Sequence, residues 1–448
     1  MKYDVIRKVG ERHRGALAFF GFAVCIFAAT YTIYEVFSVP EIGPIGIVHI
    51  PLPLATSTYI GTSQTNVRER SIASTTMATP PSVQEQVAPP HVDTATIAAP
   101  VSKPQTPTLE NSARIGVAVG ETLSVVSSEE LARTLDDLAS LGVGWVRADL
   151  AWSSVRPDEN APYRWDAFDR LVDAAYTRDI HVLPILTYTP AWARMDTCAW
   201  TSKCPPKDPR AFAVFVRDAI ERYAPRGVVA WEVWNEPNIS LFWASGADPE
   251  RYAALLREAY TAVHDVSPDA VVVSGGLAPA STGDGNMAPR DFLEQLYTYG
   301  ARTSFDAVGF HPYSYPLSPT HHKRSNAWSQ MAETAWSIRS IMHDHGDGAK
   351  QVWLTEYGAP TGGSGAVAAS DGYAFWDVPD HVTETYQAEL MREAITVHAT
   401  YPWAGPLFWY SYRDLGTTQE DKEHFFGLLR YDGTPKPAYE ELARLLTE

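Results

Sequence analysis

Two glutamates stand in settings suited to acid–base and nucleophilic chemistry. Glu236 ends the run VVAWEVWNE, with Asn235 before it and Pro237 after it. Glu356 ends QVWLTE and is followed by Tyr357 and Gly358. Both runs are apolar, as buried strands are, and both finish on a carboxylate among aromatic residues. Two carboxylates across a cleft can divide the work of breaking a glycosidic bond. One protonates the leaving oxygen, and the other attacks the anomeric carbon or activates a water. Aromatic planes around them suit the apolar faces of sugar rings. Glu232, four residues before Glu236, reads as structural: a buried acid at that depth needs a cationic partner, such as an arginine from a neighbouring strand.

These residues need a scaffold that delivers strand ends to one place. From residue 113 onward, short apolar runs alternate with helical segments. The runs are 114–120, 144–152, 181–188, 228–236, 270–279, 306–315, 351–358 and 405–412. Helical signals lie between them, as in SSEELARTLDDLASLG, where Ser127 is a candidate N-cap, Glu130 lies three residues on and Gly142 closes the segment. Eight apolar strands alternating with helices imply an α/β fold, a (β/α)8 TIM barrel over 113–448. An open doubly wound sheet would usually offer a glycine-rich phosphate turn, and VAVGETLS has one glycine.

In such a barrel the site gathers at the C-terminal ends of the strands. Those ends carry Arg147, Asp149 and Trp152, then Tyr188 with Trp192 beyond it, Asn235 and Glu236, His311 and Tyr313, Glu356, and finally Trp409 and Tyr410. Trp152, Trp192, Trp243 and Trp376 are either sugar platforms or core and loop fillers. HHKR at 321–324 reads as a solvated turn or a contact for an anionic sugar. Strict strand alternation would send Asn235 and Glu236 to opposite faces. If both touch one sugar, the backbone must depart from strand geometry at 234–237, with Pro237 fixing the exit.

The remaining sequence bounds the partners. The net charge of −17 disfavours nucleic acid. No His/Cys/Asp cluster has metal spacing, so neither metal nor cofactor is implied. Basic residues in 1–14 precede an apolar segment at 15–37 that carries one charge, Glu35. A helix of that length spans roughly 34 Å, enough to cross a bilayer. It reads as a transmembrane signal-anchor with its N-terminus in the cytoplasm. A cleaved signal peptide followed by secretion is the alternative, against which stand the length of the run and the lack of an A-x-A site. Residues 38–112 are rich in Pro, Ser and Thr and read as a disordered linker. The barrel is therefore expected outside the membrane, in an extracellular or periplasmic space, as a monomer that binds carbohydrate. There, Cys198 and Cys204 are expected to form a disulfide.

WEVWNEPN and WLTEYG resemble the acid/base and nucleophile strands of the clan A glycoside hydrolases. The nearest pattern is family 39, of β-xylosidases and exopolysaccharide hydrolases, with the cellulase-like family 5 second. The resemblance extends over 114–445 and includes GWVRADLAWSSVRP, FHPY and GLLRYDGTPKPAYEEL. It implies a retaining hydrolase acting on a β-linked oligo- or polysaccharide. Glu236 would be the acid/base and Glu356 the nucleophile. Asn235 would bind the sugar 2-hydroxyl, and Arg147 would hold Glu356 ionised. His311 and Tyr313 would complete the site, with Tyr313 bonded to Glu356 and Trp409 as the aromatic floor. No β-rich module follows the barrel, which leans toward endo action. The alternative is a membrane-anchored carbohydrate-binding or polysaccharide-assembly protein with an inactive barrel.

Overall fold

The computed structural model describes residues 114–332, 335–373 and 378–447. Eight strands close a parallel barrel: β1 Ile115–Gly120, β2 Trp145–Ala151, β3 His181–Thr187, β4 Ala230–Val233, β5 Val271–Ser274, β6 Ala307–Phe310, β7 Gln351–Tyr357 and β8 Ala404–Tyr410. Each pairs with its sequence neighbours, and β8 closes on β1. All eight expected strands are present. β4, β5 and β6 stop earlier than their apolar runs, because their last residues leave the ladder to build the site.

Alternation sorts the side chains into two cores. Ala118, Trp145, Leu183, Ala230, Val273, Ala307, Trp353 and Phe408, one per strand, fill the barrel interior. Residues of opposite parity, such as Val146, Val182, Trp231, Val308 and Leu407, pack outward against the helices. The helices follow from their periodic apolar faces. In Ser128–Ser140, Leu131, Leu135 and Leu138 are buried, and the Ser127 side chain caps the helix by accepting from Glu130 N. Gly142, just past its end, has φ +83°, the left-handed turn that glycine allows.

The Cys198–Cys204 disulfide is formed in the loop after β3. Among the described residues no helix is long and apolar enough to cross a membrane. The expected span at 15–37 and linker at 38–112, as well as Trp376, lie outside those residues.

Candidate active site

Arg147 is the hub of the centre. It points into the barrel from β2, two residues above Trp145, and is 1% exposed. Its Nε donates to Glu232 Oε2 at 2.5 Å and its Nη2 to Glu232 Oε1 at 3.0 Å. Nη2 also donates to Asn235 Oδ1 at 2.8 Å, and Nη1 donates to Glu356 Oε1. Glu232, fully buried, accepts further from Gly276 N at 2.8 Å. It is thus the inward structural acid with an arginine partner from a neighbouring part of the sheet.

The end of β4 breaks alternation, as expected at 234–237. Trp234 has φ +71° and Glu236 φ +44°. A non-glycine residue in that region is strained by about 1–3 kcal/mol. The turn at Trp234 sends its ring outward, where it packs on Trp243. Asn235 then reaches Arg147, and Glu236 reaches His311 Nδ1 at 2.8 Å. Glu236 N donates to Gly276 O, which ties the exit to the end of β5. Gly276 has no alternative there, because a Cβ would overlap the His311 ring.

Glu356 is turned inward by a different device. Leu407 and Trp409 of β8 pair with Leu354 and Tyr357 of β7, so β7 carries one extra residue. Leu354 and Tyr357 both face outward. The bulge between them brings Glu356 inside, where plain alternation from Leu354 would have left it facing the helices. Tyr313 hydroxyl donates to Glu356 Oε2 at 2.9 Å, and His311 Nδ1 lies 3.8 Å from the same oxygen. Burial alone would raise the Glu356 carboxyl. The charges of His311 and Arg147, with hydrogen bonds from Tyr313 and Arg147, outweigh this and hold it below the usual carboxylate range.

Glu236, His311 and Glu356 each place a side-chain ligand atom within 4.8 Å of the others. Such a trio could hold a cation, although its members are far apart in sequence. In this arrangement the protein already supplies their partners: His311 to Glu236, and Arg147 with Tyr313 to Glu356.

Trp409 and Trp152 need correction. Trp409 is 1% exposed, faces outward and meets Tyr357 edge to face. Its neighbour Tyr410 has the inward parity and packs on the barrel interior. Burial and then the charges of Glu423 and Glu356 push the Tyr410 hydroxyl well above its ordinary range. Trp152, also 1% exposed, stacks on Phe215 within the core. Trp192 is half-buried against Trp152, and its Nε1 donates to Arg156 O at 3.3 Å. Trp243 is core as well. None of these four indoles hydrogen-bonds either glutamate among the described residues.

Three residues without an expected role feel the charges of the pair. Asp149 is the next inward position above Arg147. Burial, with the charges of Glu121, Glu356 and Glu232 and against that of Arg147, pushes it up to about 7. Glu423, in the loop after β8, is pushed up to about 7 mainly by burial, with Asp421, Glu356 and Glu236 adding to it against Lys422. Lys203, beside Cys204, has its ammonium 4.0 Å from the Phe242 ring centroid. The period-two pattern could have pointed to Asp149 and Tyr410; the other two sit on loops, where no periodicity guides a reading.

Fold and site together define a (β/α)8-barrel protein with a paired-carboxylate centre. The cellulase family, glycosyl hydrolase family 5, matches residues 110–403, and the chain belongs to it. It is similar to the β-xylosidase of Geobacillus stearothermophilus, 32% identical over 173 residues, which cover 36% of this chain and 32% of that one. The match thus spans about a third of the relative's length. A family 39 glycoside hydrolase from the gut symbiont Bacteroides cellulosilyticus has the same fold, with TM-score 0.56 and 23% identity over 76% of this chain and 65% of that one. The family 39 enzyme of Xanthomonas axonopodis pv. citri gives TM-score 0.56 at 16% identity, covering 75% and 66%. Both families expected from the sequence return, family 5 by sequence and family 39 by fold.

Proposed function

We propose that the protein is a retaining glycoside hydrolase acting on a β-linked oligo- or polysaccharide. The observation that carries this is the approach of the Glu236 and Glu356 carboxylates, whose oxygens come within 4.8 Å. Retaining hydrolases hold their carboxyl groups about 5–5.5 Å apart, and inverting ones about 6.5–9.5 Å to admit a water.

In this reading Glu356 attacks the anomeric carbon while Glu236 protonates the departing glycosidic oxygen. The product is a glycosyl ester on Glu356 and a free alcohol. Glu236, now ionised, takes a proton from water. The hydroxide adds to the anomeric carbon and releases the Glu356 carboxylate. Arg147 and Tyr313 keep Glu356 ionised for attack and stabilise it as it leaves. His311 orients Glu236. Asn235, fixed by Arg147, is placed to bond the sugar 2-hydroxyl, and Tyr410 takes the platform role expected of Trp409.

The disulfide supports an oxidising compartment, and with it the reading of a barrel tethered outside the membrane or secreted. The relative's name makes xylosides the first substrates to try. Hydrolysis of an aryl β-glycoside followed by proton NMR should show the β-anomer forming first. Initial release of the α-anomer would overturn the mechanism. Full activity in Glu356→Ala would overturn the hydrolase reading in favour of an inactive, sugar-binding barrel.

A further inference from the structure

His311 uses only one of its two ring nitrogens on the carboxylates. Its Nδ1 lies 2.8 Å from Glu236 Oε1 and 3.8 Å from Glu356 Oε2. Its Nε2 is buried and meets no hydrogen-bonding group among the described residues, and the same holds for the Thr355 hydroxyl. Both residues are 0% exposed. Native structures rarely leave a buried polar atom unpaired, so two in one place are unusual.

The sheet brings these two atoms together. Phe310 of β6 pairs with Leu354 of β7, and both face outward. Alternation turns the next residue of each chain segment, His311 and Thr355, inward and side by side. A Cβ on Gly276 would stand 2.0 Å from His311 Nε2 and 2.5 Å from Thr355 Oγ1, so the two atoms are at most the sum of these, 4.5 Å, apart. That is within reach of one shared hydrogen-bonded contact, direct after a small turn of the threonine side chain or through a single water. The missing side chain of Gly276 keeps this space open. Gly276 is itself fixed on both sides, its N donating to Glu232 Oε1 at 2.8 Å and its O accepting from Glu236 N at 3.1 Å.

A hydroxyl suits that position chemically. In the hydrolase reading Glu236 carries a proton in the first step and none in the second. Facing an ionised Glu236, His311 Nδ1 donates, and in the neutral ring Nε2 is then bare and needs a donor. Facing a protonated Glu236, Nδ1 can instead accept, and Nε2 then carries the hydrogen and needs an acceptor. A threonine hydroxyl does both by rotating. A side chain that only donates or only accepts would favour one state of Glu236 over the other.

We propose that Thr355 is a positioning residue for the general acid: its hydroxyl partners His311 Nε2 and so holds Nδ1 on Glu236 in both of that carboxyl's protonation states. The role rests on the hydrolase reading; the contact is tested separately from it. Thr355→Val keeps the shape and removes the hydroxyl, whereas Thr355→Ser keeps the hydroxyl. On a phenyl glycoside, whose leaving oxygen needs a proton, kcat/KM of Thr355→Val should fall about tenfold, as for a buried nitrogen left unpaired. On the dinitrophenyl glycoside, whose phenolate leaves without a proton, it should stay within about twofold of the native value. Thr355→Ser should restore most of the loss. Equal loss on both substrates, native activity of Thr355→Val on the phenyl glycoside, or a serine variant as slow as the valine one would overturn the role. A crystal structure of the native protein should show Thr355 Oγ1, or one water that it holds, within about 3.2 Å of His311 Nε2. A different partner on Nε2, or none, would overturn the contact. A native protein that hydrolyses neither glycoside would overturn the hydrolase reading and the catalytic role with it, while the crystal structure still decides the contact.

Discussion

Replacing Arg147 by lysine keeps the charge and removes the geometry, and the structure sets the cost. Arg147 makes four hydrogen bonds, two to Glu232 and one each to Asn235 and Glu356. A single ammonium cannot span two carboxylates on opposite sides of a planar fork. It will keep the fully buried Glu232 or the more accessible Glu356, not both. Leaving one buried carboxylate without its partner costs about 3–5 kcal/mol. At about 2 °C per kcal/mol for a domain of this size, Tm should fall by roughly 6–10 °C. If the lysine stays with Glu232, Glu356 loses both a positive charge and a hydrogen bond. Its carboxyl then moves up, because the charge and hydrogen bond of Arg147 are among the causes that hold it low. The acidic limb of kcat/KM should move up in pH with it. Scanning calorimetry reads the first effect and a pH–rate profile on an aryl glycoside reads the second. A variant that melts within 2 °C of the native protein, with an unmoved acidic limb, would refute the assignment of Arg147 as the hub.

Other perturbations test neighbouring parts of the same construction. Asp149 and Glu423 are both raised to about 7 in the folded state from 3.8 and 4.5, so the folded chain binds their protons more tightly than the unfolded one. Stability therefore falls as pH rises from about 4 to about 7 through these groups. Glu356, held low, acts oppositely: its contribution is present above its unfolded pKa and is lost as pH drops below it. Asp149→Asn and Glu423→Gln should each flatten the decline of Tm between about pH 5 and pH 7.5, and an unchanged decline in both would contradict the cause given. Gly276→Ala should break the His311–Glu236 bond and lower kcat by about tenfold or more, measured on an aryl glycoside; a crystal structure of the variant with that bond intact would count against the steric argument. Dialysis against EDTA should leave activity unchanged, and loss of activity restored by a divalent cation would make the Glu236–His311–Glu356 trio a metal site.

Much of this protein was legible in its residues alone. Eight apolar runs alternating with helical segments imply a parallel sheet covered by helices, and the lack of a glycine-rich phosphate turn after the first run favours a closed barrel over an open doubly wound sheet. The carboxylates at the ends of the fourth and seventh runs marked the site, because a parallel barrel delivers all its strand ends to one face. Even the irregular turn at 234–237 followed from requiring Asn235 and Glu236 on the same side. What the sequence could not decide was absolute parity. Trp409 and Tyr410 are adjacent aromatics, and one residue of phase exchanges the barrel interior for the helix layer. That phase depends on where the sheet closes and on the bulge in β7, which inserts a residue and turns Glu356 inward. Tertiary structure likewise decided that one arginine serves both Glu232 and Glu356, and that His311 meets Glu236. Those facts depend on distances between strands and loops far apart in the chain, which no local pattern of residues encodes.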